Sequence, residues 1–210
     1  MHRRRVVLAA LLAALTGACR RRPKLAPIGP GQTVLAFGDS VTFGTGAGPG
    51  EDWPTLLAGR TGWSVHNAGI PGDTAEAGQG RIAALVEALR PALVLVEIGG
   101  NDFLRRRPQK AVKEDIRRII HRARQGGAQV VLVAVPELSL LGAVTRKPAD
   151  APLYGELGEE EHVPVIAAVF AGILAHPEWC ADPIHPNARG YQELAAGIHA
   201  RLQELGLALS

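Results

Sequence analysis

The chain has 210 residues, 47% of them hydrophobic and 20% charged, a balance that supplies a globular core and excludes a disordered or fibrous protein. Its formal net charge is +3, and Arg3, Arg4 and Arg5 lie in a leader expected to be removed, so the basic balance is no argument for nucleic acid as a partner. Cys19 and Cys180 are the only cysteines, too few for a disulfide framework, and the fold must rest on its core.

Residues 1–18 read as an export signal: the basic Arg3-Arg4-Arg5, an apolar run from Val6 to Leu15 too short to span a bilayer, then Thr16-Gly17-Ala18. Small residues before a cysteine resemble a bacterial lipobox, which would place a lipid on Cys19 and anchor the chain to a membrane. Thr16 stands where that motif prefers Leu, so plain cleavage after Ala18, giving a periplasmic or secreted protein, competes with it. Residues 19–32 are rich in Arg, Pro and Gly without an apolar period and read as a tether, which leaves 33–210 as one domain.

From Thr33 onward, short apolar runs alternate with longer amphipathic stretches, the pattern of a parallel sheet covered by helices on both faces. Strands are expected at Thr33–Phe37, Ser64–Asn67, Leu93–Ile98, Gln129–Val135 and Val163–Ile166. Leu93-Val94-Leu95-Val96 and Val130-Val131-Leu132-Val133 have the continuous apolar character of strands buried on both faces. Helices are expected at Trp53–Arg60, Ala75–Leu89, Ala111–Gln125, Leu153–Glu161 and Gly190–Leu205. In the second, Ile82, Leu85, Val86 and Leu89 make one stripe that Pro91 ends. The stretch from Pro136 to Pro152, with Leu138, Leu140, Leu141 and Val144, lacks a period and reads as a loop over the sheet, either a connection or a substrate lid.

In a sheet of this kind ligands sit at the carboxyl ends of the strands, and unusual residues gather there. The first strand runs into Gly38-Asp39-Ser40-Val41, where a serine opening a helix has an exposed hydroxyl and a free amide, although such a serine is more often only a cap. Thr42 stands where the nucleophile elbow of α/β-hydrolases needs glycine, and Pro49 breaks a dinucleotide-binding reading of Gly44, Gly46 and Gly48. The second strand ends in Asn67-Ala68-Gly69, followed by Ile70-Pro71-Gly72-Asp73-Thr74, and the third in Gly99-Gly100-Asn101-Asp102. The Asn101 carboxamide is suited to donate to a developing oxyanion, or belongs to an ordinary turn. In Asp182-Pro183-Ile184-His185-Pro186 the aspartate is spaced to reach the imidazole, and the prolines stiffen the backbone that carries both. His176, Cys180, Asp182 and His185 are also metal-ligand types, but their irregular spacing argues against a metal site.

Taken in order, Phe37-Gly38-Asp39-Ser40, Asn67-Ala68-Gly69, Gly99-Gly100-Asn101-Asp102 and Asp182-Pro183-Ile184-His185-Pro186 resemble the SGNH/GDSL hydrolases, and among them the bacterial arylesterase, acyl-CoA thioesterase and lysophospholipase group. Val41 departs from the leucine of the family's name and keeps its apolar character. The resemblance implies a flavodoxin-like three-layer α/β/α sandwich with a five-stranded parallel sheet. It implies Ser40 as nucleophile, Asp182 and His185 completing a triad, and the Ser40 amide, the Gly69 amide and the Asn101 side chain as oxyanion donors. Asp39, Asp73, Thr74 and Pro136, beside these blocks, are expected to line the substrate site, and no cofactor or metal is expected.

The chemistry fits without the resemblance, because a serine hydroxyl needs an adjacent base and histidine changes charge near neutral pH. The expected substrates are small acyl esters, thioesters or lysophospholipids. An O-deacetylase of cell-wall or exopolysaccharide glycans is the alternative, and a noncatalytic binding lipoprotein a further one. Arg105-Arg106-Arg107 reads as a solvated face or as an attractor of anionic substrates.

Overall fold

The structure, a computed structural model, describes residues 25–137 and 148–209. Strands β1 (Thr33–Gly38), β2 (Ser64–Gly69), β3 (Leu93–Glu97), β4 (Gln129–Val133) and β5 (Val165–Ile166) form one sheet in the order β2-β1-β3-β4-β5, with every neighbouring pair parallel. This is the flavodoxin-like order. The chain reverses its direction of travel across the sheet between β1 and β3, and there the strand ends open into a crevice. Ser40 follows β1 and Asn101 follows β3, so the switch point brings them to the same edge.

Strand β3 is buried throughout, and β1 and β4 are buried but for their first residues, as their apolar sequences require of a sheet covered on both faces. At the edge of the sheet, β2 leaves Ser64 and His66 exposed. The helices are α1 (Ser40–Phe43), α2 (Trp53–Thr61), α3 (Ala75–Leu89), α4 (Gly100–Leu104), α5 (Gln109–Gln125), α6 (Pro152–Glu160), α7 (Val169–Leu174) and α8 (Ala188–Glu204), with a 3-10 turn at Pro177–Trp179. Helices α3 and α5 pack together, and α2 packs with α8. The starts of α2, α3 and α8 are fixed by side chains: Asp52 accepts from the Thr55 amide, Thr74 from Ala77 and Asn187 from Gly190.

The long helices agree with the periodicity to within a few residues, and the Asn187 cap starts α8 earlier than expected. Helices α1, α4 and α7 have 4, 5 and 6 residues, too few for an apolar period to reveal. Ile98, Ala134 and Val135 are buried but lie beyond the ends of their strands, which shows that burial alone does not make a ladder.

Ala26–Gln32, read as tether, lie against the domain instead. Ile28 is 1% exposed, its amide donates to Leu207 O at 2.8 Å, and its carbonyl accepts from Trp63 Nε1 at 3.0 Å. The Gln129 side chain bonds the Ala26 backbone in both directions, at 2.7 and 2.9 Å. One isolated apolar residue among prolines and glycines carries no period to announce this. The segment expected to be an export signal and Cys19 lie outside the described residues, as do Leu138, Leu140, Leu141 and Val144 of the stretch expected to be a loop. Its ends are joined by an antiparallel bridge between Pro136 and Asp150. Among the described residues no helix is long and apolar enough to cross a membrane.

Candidate active site

The turn after β1 is built from beneath. Asp39 caps α1 by accepting from the Val41 amide at 3.1 Å, and Thr42 Oγ1 donates to Glu97 Oε2 at 2.7 Å. Asn67 Nδ2 donates to Thr42 O at 2.9 Å, tying α1 to β2. Ser40 stands at the start of this short helix, and its amide makes no hydrogen bond among the described residues.

His185, expected as the base, arrives from the other end of the chain. Cys180 and Pro186 form an antiparallel bridge, and the Ala181 amide donates to His185 O at 2.9 Å, closing a small loop. Asp182 Oδ1 accepts from the Ile184 and His185 amides, both at 2.9 Å, which leaves Oδ2 for His185 Nδ1 at 2.7 Å. With Nδ1 engaged, His185 Nε2 faces Ser40 Oγ at 2.9 Å. The two loops are in contact, since a side chain at Gly46 would meet Pro186 O at 2.5 Å, and Tyr191 of α8 donates to Thr45 O at 2.8 Å. Burial pushes the Asp182 carboxyl up, but its bonds to the His185 ring and to the two amides outweigh this and hold it below its ordinary value.

Asn101 Nδ2 donates to Asp73 O at 3.0 Å and to Asp39 Oδ2 at 3.3 Å, so its carboxamide lies beside the nucleophile turn. The Gly69 amide, expected as an oxyanion donor, is otherwise engaged: it donates to Asn67 Oδ1 at 2.9 Å, and a Cβ on Gly69 would lie 2.1 Å from Phe43 N. Gly69 is therefore needed for close approach of α1 to β2. Three residues on, Gly72 has φ +80°, is exposed, and its amide bonds nothing among the described residues. It belongs to the turn whose next carbonyl, Asp73 O, holds Asn101.

The other expected substrate-lining residues serve the scaffold. Asp39 and Thr74 are buried caps, Asp73 is buried against Arg81 at 2.8 Å, and Pro136 is buried in its bridge. Polar residues at strand ends are as useful for ending strands and starting helices as for meeting substrate. Burial pushes the Asp39 carboxyl up to about 7, against the Val41 amide and His185, which pull it down, and Asp73 and Asp102 push it further up. His176 stacks on Trp179, and no cluster of metal-ligating side chains occurs among the described residues. In the arginine run, Arg107 is paired with Asp102 and Asp115, while Arg105 donates to Gly72 O at 3.1 Å.

Sequence reading missed Arg81, which binds the strand ends together: its guanidinium donates to Asp73 at 2.8 Å, Ala68 O at 2.9 Å and Gly38 O at 2.8 Å, and lies over the Phe37 ring. The only local signal is a cation one position from the apolar stripe of α3.

A parallel α/β sheet of this order, with a serine, a histidine and an aspartate hydrogen-bonded in line at its carboxyl edge, defines an ester-bond hydrolase of the SGNH type. A profile of the GDSL-like Lipase/Acylhydrolase family matches residues 36–193, and the chain belongs to that family. It is 32% identical over 178 residues to thioesterase 1/protease 1/lysophospholipase L1 of Escherichia coli K12, covering 82% of this chain and 84% of that protein. It is 29% identical to esterase TesA of Pseudomonas aeruginosa, covering 83% of this chain and 89% of the relative. A crystal structure of TesA superposes with a TM-score of 0.74 at 28% identity, covering 83% of this chain and 99% of the other.

Proposed function

We propose that the chain hydrolyses esters or thioesters of apolar acyl groups, lysophospholipids among them, through an acyl-enzyme on Ser40. The observation that carries this reading is the relay from Ser40 Oγ to His185 Nε2 at 2.9 Å and from Nδ1 to Asp182 at 2.7 Å. His185 takes the Ser40 proton as Oγ adds to the carbonyl carbon, then delivers it to the departing alcohol or thiol. Water, activated by the same imidazole, adds to the acyl-enzyme and releases the acid and Ser40. Asp182 stays ionised and holds the imidazole in the tautomer that leaves Nε2 free to accept. The oxyanion donors in this reading are the Ser40 amide, the Gly72 amide in place of that of Gly69, and Asn101 Nδ2, which exchanges its longer bond, 3.3 Å to Asp39 Oδ2, for the oxyanion. A phosphonate adduct with its oxygen about 3 Å from the Gly72 nitrogen supports this choice, and one bonded to the Gly69 nitrogen reverses it.

The apolar acyl group is favoured by exposed apolar side chains on the segments that follow the strand ends. Phe43, Ile70 and Leu104 are 55%, 48% and 47% exposed, and each follows a strand that ends at this edge. Trp53, Trp63, Tyr154 and Tyr191 are buried, which leaves glycan deacetylation without their rings as a stacking platform. The intact relay weighs against a purely binding role.

The test is Ser40→Ala with a fluorophosphonate probe and p-nitrophenyl esters of increasing chain length, beside acyl-CoA and lysophospholipid. Labelling should vanish and turnover fall by roughly 10⁴-fold or more. Full activity in that variant overturns the mechanism, and a preference for acetylated glycans over every acyl ester overturns the substrate class. The leader further supports export, with the mature chain starting at Cys19. Mass spectrometry of the membrane fraction from wild type and Cys19→Ala distinguishes a lipidated from a free N-terminus, and an intact Met1 in the cytosol refutes export.

A further inference from the structure

Glu97 closes β3, is 1% exposed, and has no part in the reaction above. Its Oε2 accepts from Thr42 Oγ1 at 2.7 Å, while Oε1 meets no hydrogen-bond partner among the described residues. Thr42 is itself fully buried, two residues beyond Ser40 on α1. Gly38, which pairs with Glu97 in the sheet, makes room for this bond: a Cβ there would stand 2.1 Å from Thr42 Oγ1 and 2.2 Å from Glu97 O. The nucleophile helix thus rests on a buried carboxyl at the end of the neighbouring strand.

We infer that Glu97 is a positioning residue for the nucleophile, fixing through Thr42 the turn of α1 that presents Ser40 to His185. The inference rests on Ser40 being the nucleophile. Thr42 also offers its carbonyl to Asn67, so one residue of α1 is held at both its side chain and its backbone. A buried carboxylate with one oxygen unpartnered is costly, and the cost is relieved when the group carries a proton. Burial first, and then the neighbouring Asp39, push the Glu97 carboxyl well above its ordinary range, against the bond from Thr42. Tyr154 on α6 and Tyr191 on α8 also sense its charge, and both phenols are held above their ordinary value, by burial first. Glu97 is then biased toward its uncharged form. Its ionisation at higher pH places a second charge beside Asp39 and loosens the turn.

The experiment compares Glu97→Gln, Glu97→Ala and Thr42→Val in kcat, KM, pH profile and melting temperature, on a short p-nitrophenyl ester. Glu97→Ala and Thr42→Val should lower kcat about 10- to 100-fold with little change in KM, since a small displacement of the nucleophile costs rate rather than binding. Glu97→Gln, which keeps shape and neutrality, should stay within about threefold of wild type and lose the wild type's alkaline fall in kcat. An equal loss in Glu97→Gln and Glu97→Ala overturns the inference, as does full recovery of kcat in Glu97→Ala well below its melting temperature. Probe labelling that persists in Ser40→Ala overturns the nucleophile reading. Labelling confined to Ser40, with unchanged turnover in Glu97→Ala, overturns this inference alone.

Discussion

Ser40 stands on a turn whose supports, Asp39, Thr42 and Glu97, are all buried, whereas the carboxylate behind His185, Asp182, has a side chain 46% exposed. The first arrangement is part of the core: its hydrogen bonds form in a low-dielectric interior as the sheet closes, and they place Ser40, the proposed nucleophile, by packing. The second is a surface loop held by its own backbone, with Pro183 and Pro186 restricting the chain and Asp182 bonding the next amides. A change to the supports of Ser40 should therefore disturb folding and catalysis together. A change to the base's support should disturb catalysis almost alone.

The largest effect that sharpens this contrast is expected of Asp182→Asn. An amide can still accept from the Ile184 and His185 backbone, but it does not stabilise the imidazolium or enforce the tautomer that leaves Nε2 free. By the logic of such triads kcat should fall by roughly 10³- to 10⁴-fold. The unfolding free energy should change by less than about 1 kcal/mol, because an exposed ion pair adds little stability. Steady-state kinetics and urea unfolding of one preparation measure both. A loss of several kcal/mol in stability would break the comparison.

Asn101→Ala should come next, with kcat reduced by roughly 10²- to 10³-fold and KM little altered, since its carboxamide acts on charge that develops in the transition state. It also sharpens the contrast, because Asn101 holds Asp39 and Asp73 O within the buried half. A modest fall in melting temperature should accompany the kinetic loss, unlike in Asp182→Asn. An effect confined to KM counts against the oxyanion role.

Much of the fold is legible in the sequence where the physics is local or strongly periodic. The β-branched runs of β3 and β4 and the stripe of α3 identify themselves, and Ser40, Asp182 and His185 stand in blocks that the structure brings into hydrogen-bonded contact. What escapes is decided by partners far away in the chain. Gly69 ends β2 and Gly72 follows it, and only the Asn67 carboxamide shows which amide is already engaged. Asp39, Asp73 and Thr74 look like substrate contacts until their caps and ion pair are seen. Arg81 reaches Gly38 and Ala68 across the strand ends, a contact that no pattern within α3 encodes. Ile28 is a core residue by virtue of Leu207, near the opposite end of the chain.

The two halves of the relay should also differ in how their stability depends on pH, with opposite signs. Asp39 has its carboxyl raised from 3.8 to about 7 in the folded protein, so the folded state holds a proton that the unfolded chain releases. Its contribution is therefore fully present below about pH 4 and is lost as pH rises through about 7, at a cost of a few kcal/mol at most. Asp182 is shifted the other way: its contribution is present above its unfolded value and is lost as pH falls through the lower folded one, and exposure keeps it small. Urea unfolding of wild type and Asp39→Asn at pH 5 and pH 8 isolates the first effect. The asparagine retains an oxygen to cap the Val41 amide and carries no charge, so the variant should gain stability relative to wild type as pH rises. Glu97, also raised, acts in the same direction in wild type and variant alike, so the difference between the two proteins reports Asp39. A difference between the two proteins that is constant across this range would mean that Asp39 ionises as freely in the core as in water, and the contrast between a buried nucleophile turn and a solvated base loop would lose its electrostatic basis.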